Sequence, residues 1–388
     1  MIPYSRQHIS KKDIKAVVKV LKSPLITQGP EVQEFEKKIS KLVKSKYAVA
    51  VNSATSALHI ACMALGLKKG DYLWTTTNTF VASANCAKYC GAKVKFLDID
   101  KDTYNLSYED LLEQLKKAKI KNTLPKILIV VHFAGLPAPM KKIRSLSKKY
   151  NFKIIEDASH ALGSSISKKM IGNCEYSEIC VFSFHPVKII TTGEGGMATT
   201  NNISLKKKMC LFREHGIERN HFKKKKNKSN GWYYEQQTLG FNYRMSGIHA
   251  ALGISQLSRL KSIINKRNKL ARNYVKLLKN LPLKLPIIPQ QNVCSFHLFV
   301  IQLKNSLLKV NRNKLFSFLR KNKIYTNLHY IPVHTHPFYS KEKQRILKNA
   351  EIYSNTALSI PIYENLNLIN QKKITSIIRS GLKIERKI

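Results

Sequence analysis

The chain has 388 residues, with 68 Lys and Arg against 23 Asp and Glu, a formal charge of +45. That length can bury a large core in roughly two to three domains. No run of about 18 apolar residues suits a membrane span, and Met1-Ile2-Pro3-Tyr4 leads straight into polar sequence, unlike a secretory leader. The seven cysteines at 62, 86, 90, 174, 180, 210 and 294 are odd in number, scattered and without paired metal spacing. Reduced thiols in a cytoplasmic protein, with no metal site and no membrane, are therefore expected. A charge of this size would ordinarily raise nucleic acid as a partner. Here the lysines are spread along the whole chain, so no nucleic-acid partner is expected. The one dense run, Lys223 to Lys226, sits in a polar loop at 221–237.

In chain order, residues 11–22 and 30–44 place apolar side chains at helical spacing, separated by the turn-rich segment Ser23-Pro24-Leu25-Ile26-Thr27-Gln28-Gly29. Strand-like runs then alternate with helical patterns at 47–51, 72–76, 94–98, 126–132, 152–156, 179–183 and 196–200. This alternation predicts an α/β fold with a mostly parallel sheet and helices on both faces. A long helical stretch near 247–280 leads into a smaller α+β portion, with a strand over Phe296–Ile301 and helices near 311–321 and 367–380.

Three strand ends carry chemistry. Ala48–Val51 runs into Asn52-Ser53-Ala54-Thr55-Ser56 and a helix, leaving amides and a positive dipole end for a phosphate. Asp157 falls at the end of the strand ahead of Ala158-Ser159-His160. A carboxylate there can keep a pyridinium nitrogen protonated. Lys188 lies in Ser183-Phe184-His185-Pro186-Val187-Lys188, just after an apolar run and before Thr191-Thr192-Gly193-Glu194-Gly195-Gly196. A lysine that must lose its proton and bond a cofactor needs such a partly desolvated, small-residue setting. Each site alone has an ordinary reading as an N-cap, a solvated acid or a turn. Their order within one domain-sized stretch favours a cofactor site.

These segments, with Phe241-Asn242-Tyr243-Arg244-Met245, make the chain resemble the DegT/DnrJ/EryC1/StrS sugar aminotransferases over nearly its whole length, from about Tyr4 to Leu366. The resemblance implies the type I (aspartate aminotransferase) fold and pyridoxal 5'-phosphate as cofactor. Residues 1–245 would form an N-terminal arm and the large cofactor-binding domain; residues 246–388 would form a helical connection and a small C-terminal domain. The wording at 52–58, 159–164, 183–188 and 241–245 is similar to the pseudaminic-acid branch. That branch implies transfer of an amine, from L-glutamate, to the 4-keto group of a UDP-linked 4-keto-6-deoxy-N-acetyl hexose, giving UDP-4-amino-4,6-dideoxy-N-acetyl-beta-L-altrosamine. A dTDP-, GDP- or gluco-configured sugar is the alternative.

Carried over position by position, the family assigns Lys188 as the catalytic lysine and Asp157 as the ring-nitrogen acid. Ala54, Thr55 and Ser183 match phosphate and substrate contacts. Phe80 matches the ring-stacking position, or else is a plain core aromatic; His160 lies near the ring oxygen in the family, and its role stays open. Asn242 resembles a residue reaching over from a partner subunit, which implies a homodimer with shared active sites. Tyr4, Pro24, Leu25, Ile26, Thr27 and the segment Leu328-His329-Tyr330 match sugar-nucleotide contacts. Members that dehydrate carry histidine where this chain has Lys188, so the resemblance implies a transaminase. The lysine-rich loop reads first as a solvated loop; the alternative is that it borders the mouth of the site and attracts the diphosphate of a nucleotide sugar.

Overall fold

The computed structural model describes residues 1–218, 232–287, 292–304, 310–341 and 345–383. Helix α1 (Lys11–Leu21) starts on a capping box: the Ser10 side chain accepts from the Asp13 amide, and the Asp13 carboxylate accepts from the Ser10 amide at 2.7 Å. Helix α2 (Pro30–Val43) opens on a proline, whose missing N–H costs nothing there, and ends on Lys44 in the left-handed region.

The main sheet follows: β1 (Tyr47–Val51), α3 (Ala54–Ala64), β2 (Tyr72–Thr76), α4 (Ala82–Tyr89), β3 (Lys93–Leu97), α5 (Tyr108–Ile120), β4 (Ile127–Val131), α6 (Met140–Tyr150) and β5 (Lys153–Asp157). A small ribbon of β6 (Ser165–Ile166) and β7 (Lys169–Met170) precedes β8 (Ile179–Ser183), β9 (Gly196–Thr200) and α7 (Ile203–Arg213). The spatial order is β1-β9-β8-β5-β4-β2-β3. The pairs β2·β3, β2·β4, β4·β5 and β5·β8 are parallel, and β9 lies antiparallel to both its neighbours. The sheet is thus mostly parallel, as the alternation predicts, with β9 as the one reversed strand within it. Strand β4 is Ile-Leu-Ile-Val-Val with every residue buried, the mark of a strand covered on both faces. Helices α3 and α4 pack on one face, and α5 and α6 seal the other around Trp74, Leu128 and Phe152.

Beyond the sheet come a two-residue pairing of β10 (Ile217–Glu218) with β11 (Glu235–Gln236), then α8 (Gly247–Leu257) and α9 (Leu260–Leu278). The long helical stretch expected at 247–280 is therefore two helices. Arg259 sits at the break, where its guanidinium bonds Asp13 at 2.9 Å, Glu364 at 3.2 Å and the His8 carbonyl at 3.2 Å. The remaining elements are β12 (Leu283–Lys284), β13 (Phe299–Leu303), α10 (Arg312–Lys321), α11 (Pro337–Ser340), α12 (Lys348–Thr356), β14 (Ala357–Ile360) and α13 (Leu368–Lys383). Strands β12, β13 and β14 form a small antiparallel sheet with its own apolar core around Tyr274, Phe299 and Ile374. The expected strand at 296–301 begins only at Phe299. Phe296 has φ +46°, and the buried Arg267 takes its carbonyl at 3.0 Å and that of His297 at 3.4 Å.

Candidate active site

The carboxyl ends of the co-directed strands converge on one cavity of about 520 Å³. Val131 ends β4, Asp157 ends β5 and Ser183 ends β8, and all three line it. Ligands collect at such ends in open α/β sheets.

The turn after β1 forms one wall. Ser53 caps α3 by accepting from the Ser56 amide at 3.1 Å, and Asn52 accepts from the Ser56 hydroxyl at 2.6 Å. The amides of Ala54 and Thr55 belong to the helix's first turn, which has no internal acceptors. Gly196 is paired with Val51, and its backbone presses against this turn. A Cβ there would overlap the Ser53 carbonyl and come within 2.5 Å of the Ala54 nitrogen. Glycine at 196 is what lets the turn seat so close to Ser183 and Gly195.

Asp157 is 5% exposed. Its Oδ1 accepts from the Ser159 amide at 3.1 Å and its Oδ2 from the Ser83 hydroxyl at 2.6 Å. Lys188 lies on the loop after β8, its amide bonded to the His185 carbonyl at 2.9 Å. Burial pushes its ammonium down to about 8, against the opposing pull of the Asp157 carboxylate. Among the described residues no carboxylate lies within salt-bridge distance of its amine.

Four aromatic side chains crowd the side near Lys188. The Ala134 amide donates to His160 Nδ1 at 3.3 Å, so the proton of a neutral His160 ring sits on Nε2, facing Tyr330 Oη at 3.0 Å. The Tyr330 phenol then keeps its own proton to donate elsewhere. Burial, then the charge of Lys188, holds His160 well below the usual histidine range. His329 falls to about 3 for the same reasons, and burial with His160 beside it also depresses His297. These three buried imidazoles are held neutral beside Lys188.

The segment carrying His329 and Tyr330 is clasped to the β2 side and to α12. Tyr330 N donates to Asn78 Oδ1 at 3.0 Å, Val333 N to the Thr77 carbonyl at 2.9 Å, and Tyr353 Oη to the His329 carbonyl at 2.6 Å. The N-terminal arm closes another side: Tyr4 lies 5.4 Å from the His329 ring, and Ser5 Oγ donates to the Val187 carbonyl at 3.3 Å.

Eleven of the residues expected from the sequence line this cavity: Tyr4, Ala54, Thr55, Phe80, Asp157, His160, Ser183, Lys188, Leu328, His329 and Tyr330. Phe80 is 57% exposed, so of its two readings the core aromatic is excluded. Pro24, Leu25, Ile26, Thr27 and Asn242 do not line it. Asn242 is exposed, and the 24–27 turn is held from behind by Gly247 N donating to the Ile26 carbonyl at 2.9 Å. The lysines at 223–226 lie outside the described residues. Sequence reasoning missed Ser83, Thr79 and His297. The four-residue spacing of Thr79 and Ser83 at a helix start was the available signal for the first two. Among the described residues no group of three His, Cys, Asp or Glu side chains could hold a metal ion, and no helix is long and apolar enough to cross a membrane.

The profile of the DegT/DnrJ/EryC1/StrS aminotransferase family matches residues 7–379. A Campylobacter jejuni protein (serotype O:23/36) named UDP-4-amino-4,6-dideoxy-N-acetyl-beta-L-altrosamine transaminase is 38% identical over 389 residues, covering 100% of this chain and 99% of that one. The Helicobacter pylori aminotransferase PseC, described as involved in the biosynthesis of pseudoaminic acid, superposes with a TM-score of 0.90 at 30% identity, covering 98% and 99% of the two chains. A Streptococcus pneumoniae protein solved in its PMP form superposes at 0.89 with 25% identity, covering 99% of each chain.

Proposed function

Because the chain belongs to the DegT/DnrJ/EryC1/StrS aminotransferase family, a family of pyridoxal-phosphate-dependent sugar aminotransferases, we propose its substrates. An amino acid, L-glutamate, gives its amine to the 4-keto group of a UDP-linked 4-keto-6-deoxy-N-acetyl hexose. The product is UDP-4-amino-4,6-dideoxy-N-acetyl-beta-L-altrosamine. Support for this sugar comes from the name and full-length coverage of the Campylobacter relative. The observation that carries the chemistry is Lys188, a partly buried amine on the wall that also holds Asp157.

The residues present fit pyridoxal 5'-phosphate. The close seating of the Ser53 turn on Gly196 offers helix-start amides and Ser183 to a phosphate. The buried, already oriented Asp157 carboxylate suits a protonated ring nitrogen. When bound, this cofactor supplies an electron sink for the carbon that loses a proton next to the amine. Lys188 Nζ would hold the cofactor, then take the proton from the donor's α-carbon and return it on the far side of the transfer. Tyr330, fixed by His160, would give a hydrogen bond into the cavity, and Phe80 would cover the ring.

We read the enzyme as a cytoplasmic homodimer with shared sites. The exposure of Leu25 at 55% and Ile26 at 46%, with Asn242 also exposed, supports a reading in which they face the cavity of a second copy.

Two measurements test this. In the cofactor-free protein only the neutral Lys188 amine can bond the cofactor's aldehyde. The rate of covalent capture, followed by visible absorbance, should rise tenfold per pH unit up to about 8 and level off above it. A capture rate flat from pH 6 to 9 would contradict the depressed amine. In the second, protein is converted to its pyridoxamine form with L-glutamate, desalted, and given candidate sugars singly. The visible band should return with the UDP-linked altro-configured ketone and not its gluco epimer. Return only with another nucleotide sugar would keep the transaminase and replace the substrate.

A further inference from the structure

The Asp157 carboxylate is set by a chain of hydroxyls that the family assignment leaves unexplained. Ser83 is fully buried and Thr79 is 2% exposed, so neither hydroxyl can rely on solvent. Ser83 Oγ lies 2.6 Å from Asp157 Oδ2, inside the short range of charge-assisted O–H···O⁻ bonds. An ionised carboxylate only accepts, so Ser83 spends its single proton there. The Thr79–Ser83 contact of 2.9 Å could run either way in isolation. With the Ser83 proton committed, Thr79 must be the donor. Thr79 therefore donates to Ser83 and Ser83 to Asp157, and each bond polarises the next.

The backbone fixes this relay. Ser83 lies in the first turn of α4, where the helix dipole favours a negative charge. Its amide donates to the Phe80 carbonyl at 3.2 Å. One turn of chain thus orients both the phenyl group on the cavity wall and the hydroxyl that grips the acid. The Ser159 amide on Oδ1 completes the hold, leaving the remaining lone pairs of the carboxylate for the cavity.

We propose that Ser83, backed by Thr79, is a positioning residue that fixes the Asp157 carboxylate in one orientation toward the ring nitrogen of the cofactor. The proposal rests on reading Asp157 as the ring-nitrogen acid. A hydroxyl that merely satisfied a buried site would change stability alone. A positioning hydroxyl also changes how firmly the ring is held and how its nitrogen titrates.

The test uses holoenzyme of the wild type, Ser83→Ala, Ser83→Thr, Asp157→Ala and the double variant Asp157→Ala/Ser83→Ala. Two quantities are read besides activity: the pH titration of the visible band, and cofactor release from the pyridoxamine form during dialysis. Ser83→Ala should release cofactor roughly tenfold faster, the scale of losing one hydrogen bond to a charged group. Its band titration should shift, and Ser83→Thr should restore both. In the Asp157→Ala background, removing Ser83 should add nothing further. A Ser83→Ala enzyme with wild-type release and titration overturns the proposal while Asp157→Ala still shows a defect. An Asp157→Ala enzyme that holds and titrates its cofactor normally overturns the reading of Asp157 and the proposal with it.

Discussion

Lys188→Ala should lose amine transfer by at least about four orders of magnitude, since the change removes both the covalent anchor and a proton-transfer group worth 10²–10⁴ in rate. The buried imidazoles of His160, His297 and His329 are poor substitutes, because their basicity is depressed. The visible band of the resting enzyme should vanish, while the pyridoxamine form should still bind through the Ser53 turn and Asp157. Absorbance spectra and product formation from glutamate and the keto sugar decide the matter together. A variant that still turned over at a tenth of the wild-type rate would end the assignment of Lys188.

Asp157→Asn should cost about a thousandfold in turnover, the upper range for removing one preorganised electrostatic partner. The substitution keeps the volume and can still accept from the Ser159 amide through Oδ1, while its Nδ2 would donate to the Ser83 hydroxyl. It removes the negative charge, so nothing at the end of β5 favours a protonated ring nitrogen, and the electron sink weakens. Cofactor content should survive better than rate. Spectrophotometric cofactor titration beside steady-state kinetics separates the two effects. Loss of cofactor in step with rate would point to a purely binding role for the carboxylate.

The strands, and with them Asp157 and Lys188, could be read from the chain because each is announced locally. An apolar run ends, and a polar residue or small-residue turn follows within a few positions. Strand limits in the main sheet fell within a residue of those expected, for example Lys153–Asp157 against 152–156. What could not be read depends on partners remote in sequence. Ser83 meets Asp157 across 74 residues. The break at Arg259 is set by Asp13 and Glu364, and the late start of β13 by the guanidinium of Arg267. The reversal of β9 likewise follows from its pairing with β1, which no local pattern encodes. Pro24 to Thr27 and Asn242 are recognisable by wording, but no single copy of the chain brings them to its own cavity.

The arm that carries Tyr4 has one more implication, for the order in which the molecule can be completed. Ile2 bonds Lys323 and Tyr325, the Tyr4 carbonyl accepts from Ile362, and Ser5 touches the loop of Lys188. Ile2 and Tyr4 thus find their partners among residues translated much later. One wall of the cavity stays open until Ile362 has emerged, so a nascent chain halted before it would lack a finished site whatever its sheet had already formed.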